Sequence, residues 1–186
     1  MKKVYISCYE NSDIKYKEQL IRWNANRNNT LFECVNSNEN EFYKIKQTQD
    51  EFFIDSVKKH ILKDASVVVC LVGLDTGKRK TVDWELRAAM HESTLLKKCG
   101  IVVIYLPEVY EKYGTQIPRS ILPKIIQKNI INRDASILET TWNKLEIDIN
   151  NIEKILNVGF AYGQMSKYII DEFIATSNQA NIILKK

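Results

Sequence analysis

The run from Gly73 to Leu86, GLDTGKRKTVDWEL, gathers residues suited to an anionic ligand such as a nucleotide. Gly73 permits a close approach to the backbone, and Asp75 and Thr76 offer hydrogen bonds. Lys78, Arg79 and Lys80 carry the charge to meet phosphates, and a helix expected to begin near Thr81 adds free N–H groups. Glu85, about one turn into that helix, brings a carboxylate toward the same place. Each residue also has an ordinary use. Glu85 by itself reads as a solvated helix carboxylate, Asp83 as a first-turn acid favoured by the helix dipole, and Trp84 as a packing residue. The three basic residues read equally as a solvated loop.

The elements around this run decide where it lies. Val67 to Val72 is continuously apolar, as expected of a parallel strand covered on both faces, and Ile101 to Leu106 is a second such run, stopped by Pro107. Lys3 to Glu10 reads as a first strand, followed by N-cap chemistry at Asn11, Ser12 and Asp13. A helix follows, with Ile14, Leu20, Ile21 and Trp23 at helical spacing. Thr30 to Asn36 is a shorter strand candidate, Ser37 to Gln49 a surface loop, and Gln49 to Lys63 an amphipathic helix with Phe52, Phe53, Val57, Ile61 and Leu62 on one side. Such alternation predicts an α/β, flavodoxin-like open parallel sheet with helices on both faces. In that architecture ligands collect beyond the carboxyl ends of the strands, near the switch in strand order. The two candidate regions are then Ser7 to Glu10 and Gly73 to Glu85. Tyr5, Ser7 and Tyr9 share one side of the first strand, and Ser7 and Tyr9 are candidates for the cleft mouth.

The last third is less regular. Tyr110 to Lys128, with Gly114, Pro118 and Pro123, is expected to be irregular with one short helix. Ile137 to Trp142 reads as an edge strand and Asn143 to Leu156 as a helix. Gly159 to Gly163 reads as punctuation before a final helix from Met165. The expectation is one domain over residues 1–186, with 108–186 a C-terminal elaboration.

Several functional classes lose their support. The net charge of +4 comes from 27 basic and 23 acidic residues spread along the chain, without the dense basic stripe of a nucleic-acid binder. No apolar run approaches the roughly 20 residues of a membrane span, and the segment after Met1-Lys2-Lys3 turns polar too early for a signal peptide. The expected location is the cytoplasm. Cys8, Cys34, Cys70 and Cys99 have no CxxC spacing and read as reduced thiols, while His60 and His91 lack ligand spacing to any of them. No metal site is expected. There is no P-loop, GxGxxG fingerprint or GxSxG elbow. The first strand, ending Ser-Cys-Tyr-Glu, also lacks the acidic pair of a metal-dependent response regulator.

The opening KVYISCYEN and the stretch VVVCLVGLDTGKRKTVDWEL resemble the TIR-like proteins of Thoeris antiphage systems. Gly73, Thr76, Val82, Glu85 and Leu86 match that family's spacing, and Thr81 stands where the family usually places Trp. The likeness covers about the first 107 residues. It implies an enzyme that cleaves NAD+ at the nicotinamide–ribose bond, some members making a cyclic ADP-ribose-type messenger that activates a partner effector. It carries the catalytic role to Glu85. NAD+ is then the substrate, with no cofactor required. The candidate nucleotide contacts are Ser7, Tyr9, Gly73, Asp75, Thr76, Arg79 and Lys80. Expected partners are NAD+, an effector reached through the messenger, and a second copy of the chain. A non-catalytic TIR-like module acting by self-association or partner docking is the competing expectation.

Overall fold

The computed structural model describes residues 1–35, 53–92 and 97–170. The expected surface loop Ser37 to Gln49, the start of the following helix and the chain beyond residue 170 lie outside those residues.

Val4, Tyr5 and Ile6 favour extended backbone, and β1 runs Lys2–Ser7. The all-apolar runs become β3, Val67–Val72, and β4, Gly100–Tyr105, both buried along their whole length. β2, Phe32–Cys34, is shorter than expected, and β5, Leu138–Thr141, forms the anticipated edge strand. The strand order is β2-β1-β3-β4-β5 with every pairing parallel, which is the flavodoxin-like order. The chain leaves β1 in one direction and β3 in the other, so the switch point lies between these two neighbours.

Seven helices are described. They are α1 (Glu10–Ala25), α2 (Phe53–His60), α3 (Lys80–Met90), α4 (Pro107–Tyr113), α5 (Lys124–Ile130), α6 (Trp142–Ile147) and α7 (Asn151–Met165). Alternation along each strand divides the core in two. Val4, Ile6, Val67, Val69, Leu71, Val102 and Ile104 pack with Leu20 of α1, Trp142 of α6 and Leu156 of α7. Tyr5, Val68, Cys70, Val72, Ile101 and Val103 pack on the other face with Val57, Leu86 and Ile126, from α2, α3 and α5.

Several sequence expectations need correction. β1 ends at Ser7, and Glu10 already belongs to α1, whose N-cap is Tyr9 without a side-chain cap, so Asn11, Ser12 and Asp13 lie inside the first turn. Residues 107–130 hold two helices and a short 3₁₀ turn, Arg119–Ile121, because Pro107 opens α4 at N1 and Pro123 is the N-cap of α5. The expected helix over 143–156 is two helices, divided where Asp148 accepts hydrogen bonds from the backbone and side-chain amides of Asn150.

The glycines Gly159 and Gly163 do not punctuate helices but lie buried within α7. They let α7 touch the start of β4. A Cβ on Gly100 would lie 2.1 Å from the Gly159 carbonyl oxygen, and one on Gly163 would lie 2.4 Å from the Gly100 Cα. The helix expected from Met165 is also absent over 166–170. Ser166 ends α7, and the chain then bonds sideways to the Asp134 carbonyl and the buried Asn129 side chain.

Candidate active site

Val82, Glu85, Leu86 and Ala89 follow the i, i+3, i+4, i+7 spacing of one helix face, and all four are buried. Glu85 is therefore a carboxylate set in the apolar stripe that α3 lays on the sheet, and only 7% of the residue is exposed. A bare carboxylate there would be costly, so it has partners. The Tyr5 hydroxyl donates to Oε1 at 2.8 Å and the Ser7 hydroxyl to Oε2 at 2.5 Å. Both donors stand on the α3 side of β1, the parity expected from the sequence. Burial pushes the Glu85 carboxyl above its ordinary range, while the hydrogen bonds from Ser7 and Tyr5 and the charge of Lys17 pull it back.

A second polar cluster fixes the loop that enters α3. The Gly73 N–H donates to Thr76 Oγ1 at 2.8 Å, and the Thr76 hydroxyl donates to Asp13 Oδ2 at 3.2 Å. Ser12 donates to the other Asp13 oxygen at 2.5 Å. A Cβ on Gly73 would sit 2.7 Å from the Asp13 carboxylate, so a larger residue there would push that carboxylate out of its clasp. Asp13 is buried, and burial raises its carboxyl above the usual range despite the donors. Sequence reasoning gave Asp13 only capping chemistry. Its work is instead to clasp the β3–α3 loop to the start of α1.

That loop delivers Arg79 over the Tyr9 ring, with the guanidinium carbon 3.6 Å from the centroid. Arg79 Nε is buried without a hydrogen-bond partner. Asp83, in the first turn of α3, pairs with Arg87 at 2.6 Å and accepts the Ile125 N–H at 2.9 Å, tying α3 to α5. Of the sequence candidates, Ser7, Tyr9, Gly73, Thr76, Arg79 and Glu85 come together at the carboxyl ends of β1 and β3. Asp75 instead pairs with Lys78 at 2.8 Å on the surface, and Lys80 is exposed.

The thiols nearby are buried and held in the protonated form. Burial pushes Cys8 up to about 12 and holds Cys70 well above the ordinary thiol value. Among the described residues no cluster of His, Cys, Asp or Glu is placed to hold a metal ion, and no helix is long and apolar enough to cross a membrane.

Residues 5–111, more than half of the chain, match the family described as Thoeris protein ThsB, TIR-like domain. The chain belongs to this family. No curated protein matches it. The TIR-like assignment agrees with the five-stranded parallel sheet and places the protein in antiphage defence signalling. It also gives the matched motif a structural meaning. Gly73 and Thr76 set the loop, Val82 and Leu86 seat α3, and Glu85 is the polar residue that this seating buries against β1. The signal legible in sequence was an acid placed between apolar residues on one helix face.

Proposed function

We propose that this TIR-like protein cleaves NAD+ at the nicotinamide–ribose bond, with Glu85 as the catalytic carboxylate. The observation that carries the reading is the desolvated Glu85 carboxylate, oriented by Tyr5 and Ser7 at the switch point of the sheet. As the C–N bond breaks, its electron pair neutralises the departing nicotinamide ring and positive charge develops on the ribose. A carboxylate held in a low-dielectric site stabilises that charge far better than one in water. Arg79, stacked on Tyr9 with an unsatisfied Nε, is suited to a phosphate of the same nucleotide. Gly73 and Thr76 shape the wall beside it, and Lys80 and the surface pair of Asp75 and Lys78 stand at the periphery. Capture of the ribosyl centre by water gives ADP-ribose, and capture by the nucleotide's own adenine gives a cyclic isomer able to act as a messenger for an effector protein in the cytoplasm.

The test is chromatography of NAD+ incubated with protein from resting and from phage-infected cells. Nicotinamide should appear together with ADP-ribose or a cyclic isomer. Glu85→Gln should lower the rate by about 10²–10³-fold with the fold intact, the range for loss of one transition-state stabilising group. Nicotinamide release unchanged by that substitution removes Glu85 from the mechanism.

A second reading has its own observation. Both Glu85 oxygens already accept an internal hydrogen bond, so the carboxylate also serves as a tie between β1 and α3 in a non-catalytic module that acts by self-association or partner docking. Folded, triggered protein that binds NAD+ or a partner without releasing nicotinamide selects this reading.

A further inference from the structure

A carboxylate that works by its charge must stay ionised, and burial opposes this at Glu85. The titratable and charged groups that act on it come from every element around it. β1 and its end bring Tyr5 and Cys8, β3 brings Cys70, and α1 brings Glu10 and Lys17, while Asp83 of α3 is already paired with Arg87. The thiols are neutral and Glu10 opposes ionisation. Lys17 supplies positive charge. It stands on α1, whose Leu20 packs on the opposite face of the sheet from Tyr5. Its Nζ nevertheless lies 6.0 Å from the centroid of the Tyr5 ring. The same ammonium acts on Cys8 and on Cys34, so it lies by the carboxyl ends of β1 and β2. Lys17 is half-buried while Lys15 and Glu18 beside it are exposed. Tyr5 links the two charges, with its ring toward the ammonium and its hydroxyl on Glu85.

We infer that Lys17 is a positioning residue for Glu85, its ammonium set by the Tyr5 ring to keep the carboxylate charged and aligned with the Tyr5 hydroxyl. The inference rests on the proposed role of Glu85 but can be tested without turnover. The whole chain, labelled with ¹³C at glutamate side-chain carboxyls, is titrated as wild type, Lys17→Met and Lys17→Arg, with the Glu85 signal assigned by its loss in Glu85→Gln. Loss of the cation should move the Glu85 midpoint to higher pH, and Lys17→Arg should restore it. The acid limb of nicotinamide release should move the same way. Lys17→Met should lose activity by about threefold or more on that acid limb and converge with wild type on its alkaline side. A purely structural role would lower activity equally at all pH values.

A Glu85 midpoint identical in all three proteins overturns the inference, as does a midpoint that Lys17→Arg fails to restore. Wild-type protein that releases no nicotinamide overturns the enzyme reading instead, and the carboxyl titration still decides the role of Lys17.

Discussion

Two helices are fastened to this sheet by opposite means. α7 meets β4 where side chains are missing, with Gly159 and Gly163 against Gly100, backbone on backbone. α3 meets β1 through a buried acid and two hydroxyls. The glycine seam leaves no polar side chain unsatisfied and gains dispersion contact along its length, so it serves stability. The polar seam keeps a carboxylate out of water, where its charge is disfavoured, and such an arrangement persists where a reactive group is wanted. The first lies mostly beyond the family-matched residues and the second wholly within them. The matched region holds the buried carboxylate, and the remainder closes the sheet with β5 and adds α7 to one face.

The comparison breaks most readily at Gly100. Gly100→Ala would put a Cβ 2.1 Å from the Gly159 carbonyl oxygen, and both partners are backbone, so one element must shift bodily. The expected cost is about 3 kcal/mol, at the upper end for overpacking, read as a lower midpoint in urea denaturation. Val158→Ala on the exposed side of the same helix should stay within about 0.5 kcal/mol. Equal losses for the two would mean that the seam is not what holds α7.

How legible these seams were in the sequence follows from the same contrast. β3 and β4 announced themselves because strands buried on both faces are apolar without interruption, and their parallel pairing followed from alternation. Tyr5 and Ser7 were placed together by parity, and both reach Glu85. Gly159 and Gly163 misled because glycine marks turns in local reasoning, whereas here the reason for it is a strand 59 and 63 positions earlier in the chain, at Gly100. Asp13 misled in the same way. A short acid after a strand reads as a cap, yet its partner Thr76 arrives from another loop. Lys17 gave no signal, since a lysine on an amphipathic helix is ordinarily solvated and its approach to Tyr5 is a tertiary contact.

The clasp at Thr76 tests the polar side at intermediate size. Thr76→Val keeps the volume but leaves the Gly73 N–H without its acceptor and removes one donor from the buried Asp13 carboxylate. Each unsatisfied buried group costs about 1–3 kcal/mol, and partial relaxation of the loop should hold the total near about 2 kcal/mol. Because this loop places Arg79 over Tyr9, NAD+ affinity measured by calorimetry should fall as well. Lost stability with unchanged affinity would separate the clasp from the nucleotide contacts.

The smallest effect is the most direct measure of what the polar seam costs. The folded-state pKa of Glu85 lies above its unfolded value, so the folded protein holds this proton more tightly than the unfolded chain does. Its contribution to stability is then fully present below the unfolded pKa and is lost as pH rises through the folded one. Glu85→Gln has no such proton. Denaturation midpoints for the two proteins should therefore differ most at neutral pH, with the glutamine variant equal to wild type or more stable, and the advantage should shrink as the pH falls through the carboxylate range. A variant less stable than wild type at neutral pH would mean that the hydrogen bonds from Tyr5 and Ser7 outweigh burial. The acid would then be a structural tie, on the same footing as the glycines under α7.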